Sequence, residues 1–152
     1  ALAKEGLPAE VYVTEPGSLM LQTVRNAEKR KVMELAQEDF RQQASDLGIP
    51  VHLRRLEVWE LAERLRAGAL ALLLVSGSRM FDKRVPHWVL AHGADAHHIF
   101  VHDPWVEDEA HESETDAADI PAPFFELERM WRWGATRLRA AVVIPPEQKE
   151  ER

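Results

Sequence analysis

Residues 69–75 (ALALLLV), bounded by Gly68 and Gly77, constrain this chain more than any other stretch. The run is continuously apolar and too short for a typical helix, so it reads as a strand buried on both faces at the centre of a sheet. Even widened to residues 67–75, it is about half of the roughly 20 residues that a membrane span needs, which excludes a bilayer crossing. The remaining segments must therefore supply strands on both edges and cover for the faces.

Residues 9–14 (AEVYVT) alternate apolar and polar positions and stop at Glu15, Pro16 and Gly17, which predicts a short strand and a turn. From Asn26 the period changes, because Val32, Met33, Ala36, Phe40, Ala44 and Leu47 recur at helical spacing. Asn26 reads as its cap, while Gly48 and Pro50 are stop signals. A brief strand at residues 51–55 precedes a second helix with Val58, Leu61 and Leu65 inward and Gly68 as terminator. Residues 76–86 form a polar loop, and residues 86–104 a β-hairpin. Residues 107–119, with seven acidic side chains and few apolar ones, read as a solvated loop. Phe124, Leu127 and Trp131 mark a last helix ended by Gly134, residues 137–144 a last strand, and residues 145–152 a flexible tail. The order predicts one α+β domain over residues 1–152, with a mainly antiparallel sheet and helices packed on one side.

Composition narrows the function. A chain of 152 residues with 45% hydrophobic content can build a sizeable core, and a net charge of −7 argues against binding nucleic acid. The absence of cysteine excludes disulfides, zinc fingers and any thiol chemistry supplied by these residues. No basic segment followed by an apolar one opens the sequence, so the expected location is the cytoplasm. The start at Ala1 fits a processed product or a piece of a longer chain.

The hairpin carries the candidate chemistry. A three-residue turn of Ala94, Asp95 and Ala96 pairs residues whose numbers sum to 190, setting His87 opposite Asp103 and His92 opposite His98. A carboxylate beside one imidazole nitrogen fixes the tautomer and leaves the other nitrogen to exchange a proton with a nucleophile. A two-residue turn at Asp95 and Ala96 instead sums to 191 and sets His87 against Pro104. Spacing leaves both registers open, and with them a plain strand-end histidine beside a turn aspartate.

Residues 86–90 (PHWVL), 101–104 (VHDP), 125–130 (FELERM) and 137–143 (RLRAAVV), with Val24, Arg25, residues 28–30 and residues 38–40, resemble a bacterial family of papain-like cysteine peptidases. These are relatives of the bacteriocin-leader peptidases, family thirty-nine of the cysteine peptidases. The resemblance runs from about residue 10 to residue 144. It implies a papain-like fold and a Cys-His-Asp triad, with His87 as general base, Asp103 as its orienting partner and a peptide or protein as substrate. Some members of the family are fused to an N-acetyltransferase domain. This sequence departs from the pattern because it lacks the nucleophilic cysteine, so His87 and Asp103 have no covalent step to assist by themselves. The favoured explanation is the C-terminal portion of a longer peptidase domain whose upstream segment supplies the cysteine. A catalytically inactive module that binds peptide or protein is the alternative.

Trp88 and Trp105 flank the candidate pair and are the expected substrate-groove residues, although core packing is the first explanation for the cluster they form with Trp131 and Trp133. No cofactor or metal belongs to the favoured reading. A histidine-rich metal site built on His92 and His98, with Asp95 or His97 nearby, is a third possibility unsupported by any specific ligand spacing. Ser18, Ser76 and Ser78 lie in no nucleophile-elbow motif, and no glycine-rich loop suggests a nucleotide.

Overall fold

A computed structural model describes residues 2–80, 82–106 and 112–146. Within them, β1 (Glu10–Val13), β2 (Val51–Leu53), β3 (Leu70–Ser76), β4 (Pro86–Ala94), β5 (His98–His102), β6 (Ile120–Pro123) and β7 (Ala140–Ile144) form one sheet in the order β2-β1-β7-β3-β4-β5-β6. Only β1 and β2 pair in parallel, so the architecture is α+β with a mainly antiparallel sheet. The apolar run becomes β3, the middle strand of the seven.

One face of the sheet carries the main core. Ala71, Leu73 and Val75 of β3, Val89 and Ala91 of β4, Ile99 and Val101 of β5, and Ala141 and Val143 of β7 share one buried cluster with the helices α2 (Val58–Arg66) and α3 (Phe124–Met130). Val58, Leu61 and Leu65 of α2 are buried as their spacing predicts, and Gly68 follows with φ 93°, a conformation that a residue with a Cβ rarely adopts. The opposite face is covered only in part, by a small cluster of Val13, Leu74, Trp133, Leu138 and Ala140. The expectation that residues 69–75 are buried on both faces is thus corrected at Leu70, which is 38% exposed.

Helix α1 (Ala27–Asp46) contributes no fully buried side chain to either cluster. Its boundaries follow local chemistry: Asn26 Oδ1 accepts the Lys29 N–H at 2.9 Å, and Gly48 takes φ 65° beyond the end. Val32 and Phe40 of its apolar stripe nevertheless remain open to solvent, as does Leu35. Gln37 ties the helix to the Leu19 backbone, receiving the Leu19 N–H at 2.6 Å and donating to the Leu19 carbonyl at 2.9 Å.

Arg139, 3% exposed, closes the chain end onto the helices. It donates to the Leu56 carbonyl at 3.0 Å, the Trp131 carbonyl at 3.2 Å and Glu128 Oε2 at 2.8 Å, with its guanidinium 4.5 Å from the Trp131 ring centre.

Strand β6 is not expected from the sequence, which reads residues 107–119 as a loop and attaches no strand after it. Pro121 and Pro123 conceal it, since proline normally argues against a strand. Phe124 N–H donates to the His97 carbonyl at 2.9 Å, so alternate amides point toward β5 and the two prolines occupy the positions facing away. Residues 107–111, with His111, and most of the expected tail lie outside the described residues.

Candidate active site at the open end of the hairpin

The turn of the β4–β5 hairpin is built by Asp95. Its Oδ1 accepts the N–H groups of His97 and His98, both at 2.7 Å, and those two backbone hydrogen bonds lead the causes that hold its carboxyl below the usual range. The expected register does not occur. Ala94 pairs with Ile99 and Gly93 with Phe100, a bulge follows, and Ala91 pairs with Val101 and Leu90 with His102. Partner numbers therefore sum to 193 near the turn and 192 beyond the bulge, rather than 190 or 191. The Asp95 N–H donates to the His98 carbonyl at 3.0 Å, so the turn closes on Ala96 and His97, later than expected, and the bulge, which no spacing rule announces, takes back one unit of that slip.

A slip of two preserves the face on which each side chain lies, because strand side chains alternate with period two. His87 and Asp103 thus share the helix-covered face. Asp103 is a diagonal neighbour of His87, and the imidazole spans the offset: His87 Nε2 lies 2.6 Å from Asp103 Oδ1. The two side chains are 11% and 7% exposed, a shielded setting in which a hydrogen bond to a carboxylate is stronger than in water. The carboxylate is itself held, since Oδ1 also accepts the Trp105 N–H at 2.8 Å and the Asp103 N–H donates to the Ala117 carbonyl at 2.8 Å. With Nε2 committed to the carboxylate, proton exchange with a nucleophile would run through Nδ1.

Asp103 and Trp105 line a cleft of about 1050 Å³ whose other walls include Arg79, Met80, Pro121, Glu126 and Met130. Arg79 and Glu126 close its flank with an ion pair at 2.7 Å, joining the turn at Gly77–Arg79 to α3. Composition of the loop after β3 and of α3 gives no sign of these cleft residues, which only the tertiary fold brings beside Asp103. A second hollow of about 310 Å³ is lined by His87, Trp88 and Trp105 with Pro86 and Pro104. The four late tryptophans divide accordingly: Trp131 and Trp133 are buried, whereas Trp88 and Trp105 are 41% and 54% exposed beside His87.

The remaining histidines do not form the expected cross-strand pair. His98 Nδ1 is 3.2 Å from both carboxylate oxygens of Asp95 in the turn, away from His92. The changed register stacks His92 on His102 instead, with ring centres 4.0 Å apart. Ser76 and Ser78 hydrogen-bond to each other at 3.0 Å.

Among the described residues, no helix is long and apolar enough to cross a membrane. A family model described as "Peptidase_C39 like family" matches residues 1–145. No curated protein and no solved structure matches the chain.

Proposed function

The chain belongs to the Peptidase_C39 like family, and we propose that it carries the base and the orienting carboxylate of a cysteine-peptidase site, acting on a thiol that lies outside these 152 residues. The observation that supports this is the 2.6 Å contact between His87 Nε2 and Asp103 Oδ1 at the edge of the large cleft. In the proposed reaction His87 Nδ1 takes the proton of the thiol, and the thiolate attacks the peptide carbonyl. The imidazolium then returns the proton to the leaving amine, and water hydrolyses the thioester. Asp103 holds the ring and stabilises its charged form. Trp88 and Trp105 would grip the peptide on either side of His87. The proposed setting is the bacterial cytoplasm, with a peptide or protein segment as substrate and an upstream segment, in some relatives accompanied by an N-acetyltransferase domain, as the source of the thiol.

The test is the intact mass and peptidase activity of the protein isolated from its source, before and after native treatment with a thiol alkylator. A chain that gains one alkyl group and loses peptide hydrolysis is the expected result. In that protein His87→Ala should lower kcat/KM by roughly 10²–10⁴, the usual worth of a general base. A mass matching the present sequence, without alkylation, would overturn the reading. It would favour the second one, an inactive peptide-binding module, for which the exposed Trp88 and Trp105 beside a hollow are the supporting feature. Trp105→Ala should then weaken peptide binding.

A further inference from the structure

The sheet face opposite His87 bears a second cluster: His92 at the β4 bulge, His102 at the end of β5 and Asp119 immediately before β6. One donor atom from each lies within 4.8 Å of the other two. The two imidazoles stack face to face, 12° from parallel with ring centres 4.0 Å apart, which brings their ring nitrogens close together. His102 Nδ1 accepts the Asp119 N–H at 3.2 Å, a long hydrogen bond that ligation through this nitrogen would replace.

His92 supplies the most informative atom. Its Nε2 is buried and makes no hydrogen bond, although Asp119 Oδ1 lies 3.0 Å away, because the pair is out of line for a shared proton. A nitrogen and a carboxylate oxygen 3.0 Å apart subtend about 91° at an ion bound roughly 2.1 Å from each, near the octahedral angle, and a small movement of Asp119 would open it toward the tetrahedral one. Asp119, with its side chain 72% exposed, can close the remaining distance without disturbing the core.

We propose that His92, His102 and Asp119 bind a divalent transition-metal ion, with water completing its shell. Two imidazoles with one carboxylate suit zinc or cobalt, whereas magnesium and calcium prefer oxygen alone. The site lies across the sheet from His87 and does not depend on the peptidase reading.

Zn²⁺ titration of the protein by calorimetry, with Co²⁺ absorption in the visible range, tests this directly. One Zn²⁺ per chain and a Co²⁺ spectrum with imidazole ligation are expected. Asp119→Asn, on an exposed side chain, and His92→Ala should each weaken binding by roughly tenfold or more, whereas His97→Ala and His98→Ala should not change it. Absence of stoichiometric binding by the unaltered protein would overturn the proposal. So would binding that survives Asp119→Asn and His92→Ala, or that His98→Ala abolishes.

Discussion

At the scale of single residues, Arg139 is the strongest structural commitment in the chain. Its charge is almost wholly removed from water, and its donors satisfy two backbone carbonyls as well as Glu128. Glu128 also pairs with Arg55, so loss of Arg139 would not strand the carboxylate entirely. Arg139→Met should therefore cost about 3 kcal/mol, near the lower end for breaking a buried pair, read from the shift of a urea unfolding midpoint at unchanged slope. A loss under about 1 kcal/mol would show that the network is dispensable. The sequence displays Arg139 merely as a polar position in RLRAAVVI, and nothing in that pattern tells that it points inward. His87 and Asp103 are more legible, because the register that sums to 190 puts them on one face, as the observed 192 does, whereas the register that sums to 191 separates them. Alternation alone does not choose between those two, and it gives no sign of the bulge that sets the diagonal geometry.

At the scale of elements, α1 was legible in its boundaries and not in its role. Cap and stop chemistry act within a few residues and mark its ends, but periodicity cannot tell whether an apolar stripe finds a partner. Nothing on α1 is buried, whereas Ala71, Leu73 and Val75 of β3 are fully so. Hydrogen exchange should accordingly find the α1 amides opening well below the global unfolding free energy and the β3 amides opening only with it. Asn26→Ala removes the cap, worth about 1 kcal/mol locally, and should speed exchange in α1 while leaving the unfolding midpoint nearly unchanged. Equal slowing of exchange in α1 and β3 would contradict this picture. Strand β6 illustrates the reverse case, an element that local signals argue against and that tertiary pairing with β5 creates.

At the scale of the whole molecule, carboxylates tie the segments together. Burial raises the carboxyls of Glu10 and Glu128, yet the hydrogen bonds that Tyr12 and Arg64 make to the first, and Arg139 to the second, bring both below the ordinary 4.5. Glu60 is lowered chiefly by its hydrogen bonds from Arg54. A carboxyl whose pKa is lower folded than unfolded contributes stability that is fully present above about 4.5 and is lost as pH falls through the lowered value. Unfolding free energy should thus be flat just above that range and decline below it, with a shallower decline in Glu128→Gln. A chemical denaturation series from pH 6 to pH 3 would check the slope, and an unaltered slope in the variant would remove Glu128 from the account.

The prolines of β6 bear on the assembly of the sheet as a whole. An outermost strand ordinarily offers a row of amide donors on which another extended chain can dock, and this is how sheets grow between molecules. Along β6 those outward positions belong to Pro121 and Pro123, which have no N–H to give. The margin beside the large cleft is therefore sealed against strand addition, so an extended peptide lying there would have to be held by side chains and not by a borrowed backbone ladder. The same seal leaves fibril-like stacking without a template at that edge.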